Sequence, residues 1–475
     1  MARLADLSLT VADVDLGEIE AEADRKLADY FVTTDYVVEA TTGSASLFLG
    51  RKGSGKSAVF TQLPRLMAAL AGPEAETILL TPDQYSWAAL KRYAEQGLLA
   101  EQAHTNAWQY TLAIEIAARI ARASRDWVAP ADQAVDELRK FLHSNYGPTP
   151  SFGESASSLL KGLKELNLSA FGFGVGVSRR DEADTPITPA VTRALFERIA
   201  PALAQVRIVV AADRLDDSWD GSLDSHSLLI GLLKAGRDLN NAYWAPFPQP
   251  GLRVVTFLRS DIYDSLRFDD KDKHRATERV LVWTPEELAT MLTRRLPGGV
   301  SADELFEPGE MRGSIAPFNY IVKRTFLRPR EVLQFVGLCL QVAGKGATEI
   351  KKDDIRRAEE RYSTWKVDDL RQEYSKVVPH IARLLECLRQ GFHRYDAIED
   401  LSALIAVKEP ALVEELGPRR ILEILFEASV IGIRPRNSGS PRFRSEDSNL
   451  SLPSSGAVYV HQGLYRGLNI REARA

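Results

Sequence analysis

The chain has 475 residues, 45% hydrophobic and 26% charged, with 60 Lys plus Arg against 65 Asp plus Glu for a net charge of −5. This length predicts about three domains and a core that needs no covalent staples, and the balance excludes global disorder, collagen-like repeats and a disulfide scaffold. An acidic total also excludes a protein that coats polyanions with its whole surface, so any nucleic-acid contact must use a local basic patch. The two cysteines, Cys339 and Cys387, form no metal-ligand pattern and suggest a reducing compartment. No apolar run approaches the ~18 residues of a membrane helix. The N-terminus is acidic and lacks an apolar signal core, so the expectation is a cytoplasmic protein with no membrane contact.

In chain order, residues 15–31 read as an acidic helix and 46–50 (SLFLG) as a short apolar strand. Residues 56–72 are predicted helical, with Val59, Leu63, Leu66 and Met67 on one face. A second strand follows at 77–83, then a largely helical stretch from 84 to about 143, where Trp108 and Tyr110 read as core. Residues 144–189 are rich in Gly, Ser and Pro and read as an insertion. Its LSAFGFGVGVS segment alternates glycine with Phe and Val, which fits a strand or hairpin better than a nucleotide loop. A helix (188–205) leads to a buried strand (206–213), a helix (222–238) to another (252–261), and 278–283 is the next strand. Strands separated by helices predict an α/β protein with a parallel sheet covered on both faces. From 285 to about 430 the pattern is helical, and the last 45 residues hold strand-like pieces (VIGIRPR, PRFRS, AVYVH) around a turn.

The strongest motif is Gly50-Arg51-Lys52-Gly53-Ser54-Gly55-Lys56-Ser57, followed by Ala58, which fits G-x-x-x-x-G-K-[ST] in full. It follows a strand and opens a helix, as the mechanism requires. Glycines let the backbone aim its N–H groups at phosphate oxygens, and the helix N-terminus adds partial positive charge. Lys56 is expected on the β- and γ-phosphates of ATP or ADP and Ser57 on Mg²⁺. The apolar strand VRIVVAAD ends in Asp213, the expected outer carboxylate for Mg²⁺. Arg214 follows it, and the next acids are Asp216 and Asp217.

These residues resemble the NTPase cores of STAND proteins and AAA+ ATPases. The D-x-L-D strand end is similar to that of STAND NTPases, which makes Asp216 the candidate to polarise the attacking water and leaves Asp217 and Asp220 as loop acids. The resemblance puts Arg259, at the end of VVTFLRSD, in the role of a sensor of the γ-phosphate. The alternative is a surface arginine paired with Asp261 or Asp264. Arg328-Pro-Arg330 at a helix start resembles AAA+ sensor 2, with Arg330 as first choice and Arg328 as second. Val460-His461-Gln462 resembles the Met-His-Asp motif of nucleotide switches, whose His contacts the β-phosphate of ADP; Gln462 departs from it, and a structural histidine is the alternative. The segments FLGRKGSGKS, FLRSDIY and WTPEEL resemble a bacterial group of P-loop ATPases, some of whose members belong to defence systems. The resemblance implies a lead-in at 1–30, a P-loop NTPase core at 31–290, a helical lid at 291–370 and a winged-helix domain at 371–475.

Two functional classes follow. In one, the chain is a slow ATPase that switches conformation or assembly with nucleotide, acting on a protein partner or on copies of itself; Lys273, Arg275 and Arg279 are candidates for a cation supplied in trans. In the other, it is a DNA-associated ATPase whose wing arginines, Arg434, Arg436, Arg442 and Arg444, straddle phosphates. A solvated hairpin tip is the plain alternative for that wing.

Overall fold

The computed structural model describes residues 2–81, 100–147, 189–217, 219–435 and 439–474. Much of the 144–189 insertion, its glycine run and Arg436 therefore lie outside the described residues. By contact, the chain groups into two compact units. One comprises residues 33–51 and 56–281; the other comprises 1–32, 52–55 and 282–475.

The first unit is built on a parallel sheet. Its strands are β1 (Leu47–Leu49), β2 (Glu76–Leu80), β3 (Arg207–Ala212), β4 (Gly251–Leu258) and β5 (Glu278–Val280), in the order β2-β3-β4-β1-β5. All four pairings are parallel, with Leu47 level with Thr256 and Glu278, and Val210 level with Ile78 and Val254. Every residue of β3 and β4 is buried, as continuous apolar strands covered on both faces must be. Phe257 stacks on Phe48 at 5.4 Å and meets Phe60 edge-on at 6.3 Å, which locks the helix Lys56–Ala71 to the sheet. The helices Ala100–Arg122 and Leu223–Tyr243 pack closely on each other. Trp108 is core, as expected: it is buried, and its indole donates to Leu228 O at 2.9 Å. Tyr110 is buried too, its hydroxyl 2.6 Å from that of Tyr146. This architecture, with a phosphate-loop motif between β1 and the next helix, is a P-loop NTPase fold.

The second unit is mainly helical. Its long helices are Pro329–Ala343 and Lys352–Tyr374, where Phe335 stacks on Tyr362 at 4.4 Å. Short helices (Ile381–Cys387, Ile398–Lys408, Pro410–Leu416, Pro418–Glu427) then pack with a small sheet. That sheet joins β6 (Phe392–Tyr395), β7 (Ile431–Ile433), β8 (Val458–Val460) and β9 (Arg471–Arg474) in the order β7-β8-β6-β9. Ser363 clamps the two parts, donating to Gly463 O at 2.7 Å and accepting from Gly467 N at 2.8 Å.

Three expectations need correction. The acidic helix at 15–31 is reduced to Leu27–Tyr30. Asp15 accepts from the Gly17 amide and Asp24 from the Lys26 amide, side-chain turns that compete with helix. The helical run to 430 is interrupted by β6, which starts after Gly391 and pairs with strands far along the chain. The PRFRS piece is no strand; one isolated bridge, Ile433 to Arg442, remains of it. Among the described residues no helix is long and apolar enough to cross a membrane.

Gly231 tests the helix packing. A Cβ there would lie 2.8 Å from the backbone carbon of His104. Gly231→Ala gains about 1 kcal/mol in helix propensity, but overpacking against backbone costs ~1–3 kcal/mol. The expected outcome is a lower urea midpoint at unchanged m value, read by circular dichroism; a raised midpoint would contradict this packing.

Candidate functional site

The phosphate loop leaves β1 at the carboxyl edge of the sheet. Gly50 extends the ladder with β4, its N–H donating to Leu258 O at 3.1 Å and its carbonyl accepting from Ser260 N at 3.3 Å. Gly53 and Gly55 hold φ of +80° and +97°, which side chains resist. Lys56 is buried and donates to the carbonyls of Gly50 (2.8 Å) and Arg51 (3.0 Å), so the loop curls around its own lysine. Burial pushes the Lys56 pKa down, against the opposing pull of Asp213 and Asp216.

Asp213 follows β3 directly, its N–H donating to Leu80 O at 3.1 Å. Its carboxylate accepts from the Ser57 hydroxyl, and burial pushes its pKa up to about 6 although Lys56 and Ser57 act to lower it. Its Oδ2 is buried without a hydrogen-bond partner. A serine hydroxyl touching a buried carboxylate with an orphaned oxygen fits a hydrated Mg²⁺. Ser57 would ligate the ion and Asp213 would accept from its waters.

Arg259 caps the helix Ser260–Ser265 and is 9% exposed. Asp261 grips it bidentately, at 3.1 Å on Nε and 2.6 Å on Nη2, and Nη1 lies 3.6 Å from Asp216. Arg259 and Asp216, the candidates for sensor and water-polarising group, thus share one network, steadied by the partner expected of the surface alternative. Arg214, at φ +60°, pairs with Asp217, and Asp220 accepts from Ser222 N. Of the candidates for action in trans, Lys273 pairs with Asp270 at 2.7 Å, Arg279 with Glu39 at 2.8 Å, and Arg275 is exposed.

The tip of the loop, Lys52–Gly55, groups with the second unit. Arg328, 3% exposed, donates from Nη1 to Lys52 O (3.0 Å) and to Glu373 (2.8 Å), with Glu331 at 3.4 Å from Nε. Lys366 pairs with Glu331 at 2.5 Å, deep in the same core. The Trp283 indole donates to Ser54 O at 2.8 Å, and Lys52 lies 3.4 Å from Asp369. Arg330 runs along the loop: a Cβ on Gly53 would sit 2.9 Å from its Cβ. Its Nε is buried without a hydrogen-bond partner. The two arginines are therefore distinct. Arg328 is ion-paired with two carboxylates and bonded to a loop carbonyl, whereas Arg330 lies along the loop with its Nε unpartnered.

His461 is 3% exposed, enclosed edge-on by Phe326 and Phe443 at 4.5 Å each. Its Nδ1 accepts from Gly463 N at 3.1 Å, which places the proton of the neutral ring on Nε2. Burial, with Lys366, Arg324 and Arg328 adding to it, pushes its pKa well down. These contacts give it a capping role at the turn Gln462–Leu464. Of the wing arginines, Arg434 and Arg442 are exposed, whereas Arg444 is turned inward onto Leu450 O at 3.0 Å.

Trp283, Glu331, Lys366, Asp369 and Glu373 escaped the sequence reading. A signal existed: Glu359, Lys366, Asp369 and Glu373 recur at the helical spacing of Tyr362, Leu370 and Tyr374, all of them buried. Charges on the apolar stripe of a helix mark a buried ionic network.

Two outcomes follow. An acid with a raised folded pKa binds its proton more tightly folded than unfolded, so nucleotide-free stability should fall as pH rises from 3.8 to about 6. The size is about 1–3 kcal/mol, and Asp213→Asn should remove that pH dependence; urea titrations across pH 4–7 check it. Arg328→Met should cost ~3–5 kcal/mol, because it removes one charge of a buried ion-paired cluster, whereas Arg330→Met should cost under ~1 kcal/mol. Equal losses would contradict the separation of the two arginines.

A family model described as "FunZ-associated C-terminal helical domain" matches residues 285–371. An 80.3 kDa Escherichia coli (strain K12) protein that carries the name of transposon gamma-delta is 23% identical, over 98% of this chain and 68% of its own length. The crystal structure of Cdc6p from Pyrobaculum aerophilum overlaps 92% of this chain and 90% of its own, at 11% identity and a TM-score of 0.33; a match that loose carries no weight for the fold or the function.

Proposed function

We propose that the chain is an ATP-binding P-loop NTPase, a slow ATPase that works as a nucleotide-controlled switch in conformation or assembly. The observation that carries this reading is the fastening of the loop tip. Arg328 and Trp283 hold the carbonyls of Lys52 and Ser54, and Arg330 lies against Gly53. A phosphate chain cradled by the loop would meet Lys56. Lys56 would exchange its two carbonyl bonds for phosphate oxygens, and Arg330 would find the acceptor its Nε lacks. Each charge-assisted bond contributes ~1.5–3 kcal/mol, and a two-state element needs ~5.5 kcal/mol to be thrown from 1:99 to 99:1. A few such contacts, made in one nucleotide state and absent in the other, suffice. Ser57 and Asp213 would hold the magnesium. Asp216 is already engaged by Arg259, and a water-polarising group so engaged suits slow hydrolysis. A protein partner or further copies of the chain would read the switch, and STAND proteins are the nearest functional analogy.

The DNA-associated reading is kept for one observation, the relative that carries a transposon's name. It would use Arg434 and Arg442.

The test is the nucleotide carried by freshly purified protein, released by denaturation and separated by ion exchange. The wild type is expected to hold near-stoichiometric ADP and Lys56→Ala none. Arg330→Ala should weaken ADP or ATP about 10–100-fold, with basal turnover below about one per second, at the low end of enzyme rates. Turnover in the tens per second, or unchanged affinity in Lys56→Ala, would overturn the reading. Retention on duplex DNA with a salt slope near −0.9 per contacted phosphate would favour the DNA-associated reading over the switch.

A further inference from the structure

The amino edge of the parallel sheet, opposite the phosphate loop, carries a second cluster of cations. Arg207 opens β3, Arg253 is the third residue of β4, and Ser46 and Thr277 directly precede β1 and β5. A cavity of about 290 Å³ lies there, lined among others by Ser46, Arg237, Asp238, Arg253, Lys273 and Thr277.

Arg253 is the anomaly. It is 5% exposed, and its Nε is buried without a hydrogen-bond partner. Among the described residues no acid pairs with it. Arg207, 6% exposed, spends Nη1 on Gln249 O at 2.8 Å, and its Nε is also unpartnered. The two guanidiniums flank Gly43: a Cβ there would sit 3.1 Å from Nη2 of Arg207 and 3.7 Å from Nε of Arg253. Burial, and then the charge of Arg207, push the Arg253 pKa down to about 10. Nearby carboxylates are already shared. Asp270 serves Arg237 at 3.3 Å and Lys273 at 2.7 Å, and Asp238 serves Arg237 at 3.6 Å. The C-terminus of the helix Asp35–Thr42, closed by Gly43, offers about half a negative charge. That falls short of two buried guanidiniums, and burying an unpaired charge costs several kcal/mol.

We propose that this cavity binds a phosphoryl dianion, with Arg253 as its principal contact and Lys273 at its exposed mouth. The planar guanidinium fork matches phosphate oxygens bidentately, and the Ser46 hydroxyl is a neutral donor at the same wall. The depth of Arg253 favours free phosphate or a small phosphorylated molecule over the backbone of a duplex, whose phosphates stay at its surface.

The experiment uses the full chain carrying Lys56→Ala, so that the phosphate loop does not contribute. Inorganic phosphate is titrated against chloride at matched ionic strength, read by thermal unfolding and calorimetry. A saturable rise in Tm with phosphate alone is expected. Arg253→Met should abolish that rise while leaving the phosphate-free protein at least as stable, because an uncompensated buried charge is gone. Lys273→Glu, at an exposed position, should keep the fold and weaken phosphate about tenfold or more. No phosphate-specific rise, or a rise that survives in both variants, would overturn the proposal. So would an Arg253-dependent rise with a short DNA duplex and none with phosphate, which would assign the contact to a backbone phosphate.

Discussion

The buried guanidinium of Arg328 is the constraint on which the C-terminal unit depends. It is nearly sealed from water and bonds at once to a carbonyl of the phosphate loop and to two carboxylates on separate helices. Four ionisable groups, Arg328, Glu331, Lys366 and Glu373, pair with one another inside a helical core. Such a network is poor value as stability, since apolar side chains of like volume often do as well. Its consequence is specificity: the loop carbonyl is one of the acceptors that complete it. Arg328 thus ties the Lys52 carbonyl to the helix Lys352–Tyr374, and Ser363 ties that helix to the turn that His461 caps.

The two faces of the loop are built differently. On the sheet side Gly50 is fixed as a ladder residue and Lys56 is folded back onto carbonyls, with the Asp213 carboxylate and the Ser57 hydroxyl in contact. Both charged groups are held away from their ordinary pKa by burial, Lys56 downward and Asp213 upward. A site so tensioned favours a ligand that brings its own charges, a polyphosphate for the lysine and a divalent cation for the carboxylate. The proposed nucleotide binding rests physically on that complementarity of charge.

What was legible in the sequence was local. The loop motif, the apolar runs of β3 and β4 and the acid after β3 are contiguous patterns, and the structure places each where its pattern did. What escaped was non-local or chemically disguised. β6 and β9 are short, polar and paired across some 80 positions, Phe392 with Arg471. β9 is an edge strand, where charges are tolerated, so no apolar alternation announces it. The segment after Asp15 read as helix because its composition is acidic and helix-forming, yet two aspartates turn their carboxylates back onto the backbone. The roles of Arg328 and Arg330 differ because of Glu373, more than forty residues away, and no spacing rule within R-P-R reveals that.

The central claim is that the nucleotide state is transmitted from the phosphate loop to the helix Lys352–Tyr374 and the turn Gln462–Leu464. Amide hydrogen exchange of the intact chain measures it most directly, comparing nucleotide-free protein, ADP, and a slowly hydrolysed ATP analogue with magnesium. The account predicts slower exchange in both segments with ADP than with the ATP analogue, and a difference that shrinks in Arg330→Ala at saturating nucleotide. Identical exchange in both segments across all three states, with the nucleotide demonstrably bound, would contradict it.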